Sequence, residues 1–232
     1  MSTPASRKSA AKKSRKKPPE KQPPALLHVR GLVRRFGEVA VVDGVDLDVR
    51  AGTAVALTGR NGAGKSTVLR CVTGADVPTE GTVLLDGEPM DERSPEIRAA
   101  LAVVMDDMDF FPDLSVVEHL DLFAKAHRVP EAESLVDEVL REVGLLGQSG
   151  QLPGTLSSGQ RRRLALASAF VRPRRLLVLD EPEQRLDAAG LRWLAGRIQR
   201  EKAEGLGVLL ASHAPELVEA VADEIVDLGD GA

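Results

Sequence analysis

The most informative part of this 232-residue chain is Gly59-Arg60-Asn61-Gly62-Ala63-Gly64-Lys65-Ser66, because it fits the pattern G-x-x-x-x-G-K-[ST]. A continuous apolar run over 55–57, typical of a strand covered on both faces, precedes it. A helical stretch over 67–73 follows it. In such a unit the glycines let successive backbone N–H groups turn inward around an anion, and the positive end of the helix points at the same place. The sequence therefore predicts a phosphate-binding loop and, with it, a nucleotide site.

Two side chains of the loop add a charge and a metal ligand to this site. The Lys65 ammonium brings a full positive charge to the β- and γ-phosphates, and the Ser66 hydroxyl can bind Mg²⁺. A chance glycine-rich turn is the alternative. The strand before the loop and the helix after it argue against that interpretation.

Short apolar runs alternate with helical periodicity along the rest of the chain. Strand-like runs recur at 83–85, 101–105, 176–179, 208–211 and 225–226, and extended stretches at 26–33 and 39–49 flank a turn at 36–37. Helical periodicity is found at 116–124, 135–143 and 187–204. Strands that alternate with helices indicate an α/β fold with a mostly parallel sheet. Residues from about 107 to 171 lack strand-like runs, so we expect an inserted helical lobe there.

Composition excludes several classes of function. The single Cys71 rules out an internal disulfide and a multi-cysteine metal site. Aromatic residues make up only 3%, which argues against a platform that stacks single-stranded nucleic acid, and we do not expect a nucleic-acid partner. No apolar run approaches the roughly 18–20 residues of a membrane helix. These observations predict a globular cytoplasmic protein.

The first 24 residues differ from the rest of the chain in charge. They carry eight basic side chains against one acid, Glu20, and combine several prolines with no apolar periodicity. Such a segment cannot bury enough surface to order itself, so we expect a disordered basic arm over 1–24 and one domain over 25–232. Two interpretations of the arm stay open: attraction to an anionic surface, such as a nucleic acid or the cytoplasmic leaflet of a membrane, or a solvated extension that aids solubility.

A second chemical signal is the apolar run over 176–179, which ends in two acids, Asp180 and Glu181. Ligands of open α/β sheets gather at the carboxyl ends of the strands. Asp180 can hold Mg²⁺ there, directly or through water, and Glu181 can orient and deprotonate an attacking water. Two acids that simply end a strand at a turn are the alternative. The phosphate loop in the same chain favours the catalytic interpretation.

A third signal is Leu156-Ser157-Ser158-Gly159-Gln160, which precedes a helical stretch over 161–171 and so forms another site for an anion at a helix N-terminus. One nucleotide does not obviously need two such sites. With this segment the chain resembles the ATP-binding subunits of ABC transporters over nearly everything from about residue 26 to the end. The phosphate loop, the 156–160 segment, the Asp180-Glu181 pair, Asp187 and His213 occur in the order of that family.

The resemblance implies a P-loop NTPase core, with a mostly parallel sheet, a small antiparallel β subdomain and an inserted helical lobe. It also implies a head-to-tail dimer, of this chain with itself or with a paralogue, that holds two ATP molecules with Mg²⁺. Each ATP would touch the phosphate loop of one subunit and the 156–160 segment of the other, which accounts for the two anion sites. The chain would lie on the cytoplasmic face of the membrane, peripheral to a separate transmembrane permease.

The resemblance further implies roles for individual residues. Catalysis would rest on Lys65, Glu181 and His213, the last as the switch histidine near the γ-phosphate. The metal would be held by Ser66, Asp180 and Asp106. Contacts to the nucleotide would come from Phe36, Gly59, Asn61, Gly62, Gly64, Lys65, Ser66, Thr67, Ser157, Gly159, Gln160 and Asp187.

Three of these residues have plain structural alternatives. Phe36 matches the aromatic that stacks on adenine, and could instead be a core residue near a turn. His213 could be a helix-capping or surface histidine. Asp187 matches an acid at the dimer interface and could also be the N-cap of the helix after it, and both roles are compatible.

The chain departs from the family pattern at three places. Asp106 stands where the family usually has Gln, and an ionised Asp only accepts hydrogen bonds, whereas Gln also donates. Ser158 replaces the first glycine of the usual signature. Glu183-Gln184-Arg185 replaces the small residues that normally follow the Glu181-Pro182 pair.

Two other functions stay open at this point. One is a soluble ABC-type ATPase without a transport role. Its chromosome and repair versions would need long heptad coils, which the sequence lacks. The other is a regulatory subunit that binds ATP and hydrolyses it weakly, which Asp106 suggests.

Overall fold

A computed structural model describes residues 24–106 and 108–229 of the chain. The predicted disordered arm lies outside the described residues except for Pro24, so it stays a prediction. Nine strands and seven α-helices form in the described part. The strands make two sheets, one of five strands and one of four.

The larger sheet is parallel and has the strand order β6-β7-β8-β3-β9. Its strands are β3 (Ala54–Thr58), β6 (Leu101–Val104), β7 (Leu176–Asp180), β8 (Gly207–Ala211) and β9 (Glu224–Asp227). Every residue of β7 and β8 is buried, as their continuous apolar sequences require of strands covered on both faces. This sheet confirms the predicted α/β class.

The smaller sheet is antiparallel and has the order β2-β1-β4-β5. Its strands are β1 (Leu27–Phe36), β2 (Val39–Val49), β4 (Glu80–Leu85) and β5 (Glu88–Pro89). The apolar run at 83–85 resembles the buried parallel strands in sequence, yet it belongs here, since β4 pairs with β1 and its first three residues are exposed. Gly81 allows this pairing, because a Cβ there would lie 2.3 Å from the carbonyl oxygen of Gly31.

Helices surround the parallel sheet. They are α1 (Lys65–Thr73), α2 (Pro95–Ala100), α3 (Val116–Ala126), α4 (Ala132–Glu142), α5 (Ser158–Phe170), α6 (Ala188–Ala203) and α7 (Pro215–Val221). The described residues between β6 and β7 form α3, α4, α5 and two short 3₁₀ turns, Leu146–Gln148 and Pro153–Thr155, and no strand. A capping box between Ser115 and Glu118 starts α3.

The two faces of the parallel sheet belong to two different cores. Leu177 and Leu179 of β7 lie in a cluster with apolar side chains of α3 to α7. Leu176 and Val178, on the opposite face of the same strand, lie in a cluster with α1 and the antiparallel sheet. The molecule is therefore layered, with the parallel sheet in the middle.

The order of the strands determines where the loops meet. Since β3, β7 and β8 are parallel and β8 lies between the other two, their carboxyl ends share one edge of the sheet. The phosphate loop, the segment after Asp180 and the segment around His213 all leave the sheet at this edge. This is the edge at which open α/β sheets bind ligands.

Candidate nucleotide-binding site

The phosphate loop joins β3 to α1 and takes its shape from glycine. Gly64 has φ +90°, and a Cβ on it would lie 2.5 Å from the carbonyl oxygen of Val41, so no other residue fits there. Gly64 is also the N-cap of α1 and, having no side chain, leaves the first N–H groups of the helix without a side-chain cap. These donors are the ones an anionic group can use.

The Lys65 side chain folds back over the loop. Its ammonium donates to the carbonyl oxygens of Gly59 at 2.9 Å and Arg60 at 3.0 Å. The side chain is buried. A cavity of about 320 Å³ lies beside it, lined by Val41, Asn61, Gly62, Gly64, Lys65, Ser66, Thr67 and Glu181. The structure thus brings most of the predicted loop residues together with the predicted catalytic base. Val41, from β2, lines this cavity as well and was missed by the sequence analysis.

Asp180, at the end of β7, has the features expected of a metal ligand. It is buried, and burial raises the pKa of its carboxyl group, while a hydrogen bond from the Ser66 hydroxyl opposes that rise. Its Oδ1 atom is buried with no hydrogen-bond partner among the described residues. An unused carboxylate oxygen next to a hydroxyl is a donor set that suits a hard cation such as Mg²⁺.

Glu181 is held by two neighbours. Its Oε1 lies 2.9 Å from Nε2 of His213, and its Oε2 accepts a hydrogen bond from the Gln184 side chain. Glu181 has φ +44°, a left-handed conformation that is uncommon for any residue with a Cβ and is typical of strained functional sites. His213 is exposed and its ring contacts the predicted base, and its role near the γ-phosphate stays a prediction.

Arg162 supports the same segment and was missed by the sequence analysis. Its guanidinium is buried and donates to four backbone carbonyl oxygens. These belong to Met105 at 3.0 Å, Asp180 at 2.5 Å, Glu181 at 2.7 Å and Pro182 at 3.3 Å. Burial lowers the pKa of Arg162. The available signal was its position three and four residues before Ala165 and Leu166, on a helical face that is buried.

The 156–160 segment starts α5 and does not line the cavity of its own chain. Ser157 and Gln160 form a capping box, in which the Gln160 side chain accepts from the Ser157 N–H at 2.8 Å. Gly159 lets the segment after β7 come close, because a Cβ there would lie 2.8 Å from the Arg185 carbonyl oxygen. Phe36 also lies outside the residues that line the cavity.

The structure tests the structural alternatives for Phe36 and Asp187. Phe36 is 52% exposed, so it is not a core residue, and the Arg34 guanidinium lies 4.4 Å from its ring centroid. Asp187 is the N-cap of α6 and accepts from the Gly190 N–H at 2.8 Å, the main cause of its lowered pKa. Arg163 also donates to Asp187, at 2.9 Å. The proposed contacts of Phe36 and Asp187 with a nucleotide stay predictions.

Asp106 lies at the end of β6 and forms an ion pair with Arg185 at 3.5 Å. Both of these residues depart from the family pattern. Within the described ranges, no group of three or more His, Cys, Asp or Glu side chains is arranged to hold a metal ion. The metal-binding role of Asp106 stays a prediction.

The fold and the site together define a class of protein. A glycine-rich loop between a buried strand and a helix, with Lys65 and Ser66 at the helix start and Asp180 at the end of a nearby parallel strand, is the construction of a P-loop nucleoside triphosphatase.

Comparison with known proteins gives the family. Residues 42–184 match the family model described as ABC transporter. The chain therefore belongs to the ABC transporter family, as an ATP-binding subunit that hydrolyses ATP to power transport.

Individual relatives agree with this assignment. The chain is 31% identical to the SkfA peptide export ATP-binding protein SkfE of Bacillus subtilis, over 89% of this chain and 86% of that one. It is 37% identical to the aliphatic sulfonates import ATP-binding protein SsuB of Pseudomonas putida, over 87% and 72% of the two chains. A solved ATP-binding subunit of an ABC transporter superposes with a TM-score of 0.81 and 30% identity, over 87% and 85% of the two chains.

Within the ranges that the structure describes, none of the helices has the length and apolar character needed to cross a membrane.

Proposed function

We propose that this chain forms a head-to-tail dimer that hydrolyses Mg²⁺-ATP at its interfaces and drives a separate permease from the cytoplasmic face of the membrane. The observation that carries the proposal is the cavity beside Lys65, which the loop residues share with Glu181. Export and import proteins both occur among the relatives, and the same ATP chemistry serves either direction.

The loop binds the phosphates of ATP through the first N–H groups of α1 and the charge of Lys65. Ser66 and Asp180 hold Mg²⁺, as the unused Oδ1 of Asp180 supports. When bound, Mg²⁺ supplies positive charge that stabilises the phosphate oxygens during transfer. Lys65 must leave the carbonyl oxygens of Gly59 and Arg60 as it engages the nucleotide.

Glu181 acts as the base that orients and deprotonates the attacking water. The 2.9 Å contact between its Oε1 and Nε2 of His213 keeps the two side chains together at the edge of the cavity. His213 then contributes a hydrogen bond near the γ-phosphate, where charge develops.

The second subunit completes the site. The Ser157 helix start does not line the cavity of its own chain, yet the positive end of the α5 dipole suits an anion. In a head-to-tail dimer this segment meets the ATP bound by the other copy. Asp187 lies at the same interface, and Phe36 stacks on adenine. Such symmetry gives two equivalent sites. The helical lobe over about 107–171 is the surface on which the permease docks.

The dimer is tested with Glu181→Gln, which keeps the shape of the side chain and removes the base. We expect turnover to fall about 1,000-fold and ATP with Mg²⁺ to convert the variant from monomer to dimer in sedimentation velocity. Glu219→Gln, at an exposed position of α7, is the matched control and should turn over normally.

A second substitution tests the orientation of the dimer. Ser158→Arg places a bulky side chain at an exposed position of the 156–160 segment, and in the Glu181→Gln background it should prevent the ATP-dependent dimer. Ser134→Arg, at an exposed position of α4, should leave that dimer intact. A dimer that persists with Ser158→Arg would contradict the head-to-tail arrangement.

A further inference from the structure

The Glu183 carboxylate lies at the centre of a hydrogen-bond cluster that the catalytic scheme does not use. Its Oε1 accepts from the Ser212 hydroxyl at 2.7 Å, from the His213 N–H at 2.8 Å and from the Ala214 N–H at 3.2 Å. These three donors make up the whole turn between β8 and α7. One oxygen of Glu183 therefore fixes the turn that carries the switch histidine.

We propose that Glu183 is a positioning residue, which sets the place of His213 and through it the contact between His213 and Glu181. The inference rests on the proposed roles of Glu181 and His213. It assigns a purpose to the first of the three residues that replace the usual small ones after Pro182.

The turn around His213 depends on a side chain from elsewhere. Its last residue, Ala214, is the N-cap of α7 and has no side chain that could cap the helix. Ser212 is buried, and its hydroxyl oxygen accepts a hydrogen bond from the Ala214 N–H at 3.1 Å. Without Glu183 the His213 N–H would lose the acceptor that the structure gives it. A carboxylate satisfies such donors more strongly than a neutral acceptor does.

The second oxygen of Glu183 has no part in the cluster. Its Oε2 is buried with no hydrogen-bond partner among the described residues. A buried acceptor that is left unsatisfied is costly, so the three bonds to Oε1 must offset that loss. The described hydrogen bonds of the Glu183 side chain therefore all go to the turn around His213.

The backbone of Glu183 is itself held in place. Arg162 donates to the carbonyl oxygen of the preceding residue, Pro182, at 3.3 Å, and the Leu186 N–H donates to the Glu183 carbonyl oxygen at 3.1 Å. Glu181, the base, lies only two residues before Glu183. The same rigid segment therefore carries the base and the side chain that fixes its histidine partner.

The test separates positioning from plain stability by non-additivity. Glu183→Ala should lower kcat about 10- to 100-fold, as misplacement of a catalytic group does, with the KM for ATP little changed. In a His213→Ala background the same substitution should lower single-turnover hydrolysis by less than about twofold, because the histidine it positions is gone. Glu183→Gln keeps an acceptor oxygen and should restore most of the activity. Glu219→Ala is the matched control.

A second measurement does not depend on turnover. In Glu183→Ala the amide hydrogens of His213 and Ala214 should exchange faster, and those of β8 should keep their protection. If Glu183→Ala does not fold, Ser212→Ala removes one donor of the cluster and should also lower kcat, by a smaller factor.

Two results would overturn the inference: equal falls in kcat with and without His213, or unchanged exchange at residues 213 and 214. Failure of the proposed function looks different. In that case the unmodified protein does not hydrolyse Mg²⁺-ATP, and the Glu181→Gln variant does not form a dimer with ATP. Amide exchange would still report whether Glu183 holds the turn.

Discussion

The loop over 59–64 and the segment over 181–187 both contribute to one cavity, the segment through Glu181, and they are built in opposite ways. The loop takes its shape from glycines with positive φ, and Lys65 donates to two carbonyl oxygens of the loop itself. The segment has no glycine, and its left-handed residues, Glu181 and Arg185, carry full side chains.

Contacts from distant parts of the chain hold the segment instead. Arg162 reaches it from α5, and the turn that carries His213 reaches it from the end of β8. A site can therefore be shaped by glycine conformations within one loop or held by side chains from distant parts of the chain. The structure of the loop should not change when residues elsewhere are substituted. The segment should lose its structure, and the protein its activity, when a distant side chain that contacts the segment is removed. Four substitutions test this, from the largest effect to the smallest.

Lys65→Ala should have the largest effect, because Lys65 lines the cavity and brings a full positive charge to the phosphates. We expect turnover to fall at least about 100-fold, as loss of a single charge-stabilising donor does, and the rise in Tm on adding ATP to disappear. Lys125→Ala, which removes an exposed lysine of α3, is the control and should behave as the parent protein. Tight ATP binding by Lys65→Ala would contradict the assignment of the loop.

Arg162→Ala should damage the segment from a distance. Four carbonyl oxygens lose their donor, and we expect the free energy of unfolding to fall by about 2–4 kcal/mol, with a loss of turnover even where the protein is folded. Arg161→Ala, its exposed neighbour on α5, is the matched control. Chemical denaturation and steady-state kinetics measure both effects. If Arg162→Ala lowers neither, the segment is as self-sufficient as the loop and the comparison fails.

Asp180→Asn should raise stability while it lowers activity. Burial raises the pKa of Asp180 in the folded protein, so folding penalises its ionised form, and stability is lost as pH rises from the unfolded pKa of about 4 through the raised folded value. Removing the charge lifts this penalty. The Tm of the variant should exceed that of the parent at pH 7, and the difference should shrink as the pH is lowered towards 4. A lower Tm at pH 7 would contradict this account.

Asp106→Gln should have the smallest effect. The ion pair of Asp106 with Arg185 joins two side chains that are 42% and 47% exposed, and such pairs contribute about 1 kcal/mol or less. Stability should hardly change, and turnover should be preserved or raised. A complete loss of turnover would show that Asp106 has a chemical role of its own, such as the predicted metal contact.

The same contrast explains what the sequence could predict. The phosphate loop depends on neighbouring residues, so its pattern was enough to place both the loop and α1. Continuous apolar runs likewise predicted β3, β7 and β8, because a strand that is buried on both faces has apolar residues at every position. The run at 83–85 shows the same apolar pattern, yet it belongs to β4, which pairs antiparallel with β1. The strands that pair with β4 are determined by the tertiary fold, so the apolar run alone could not predict them.

The supports of the catalytic segment were beyond the reach of local patterns. Arg162 stands among three consecutive arginines, and although its spacing to Ala165 and Leu166 places it on the buried face of α5, nothing nearby shows which carbonyl oxygens it reaches. Glu183 reads as one more charged residue of a loop, and its partners come 29 to 31 residues later. Such contacts depend on how whole helices and strands pack, so they can be identified only when the fold is known.

The lone Cys71 of α1 gives the protein a practical advantage. Its thiol is buried in the core, and burial raises its pKa to about 11, so it stays protonated and inaccessible to alkylating reagents at neutral pH. Cysteines introduced at exposed positions of the 156–160 segment and the phosphate loop can therefore be labelled or cross-linked without first removing the native one. Modification of Cys71 itself would report that α1 has come away from the sheet.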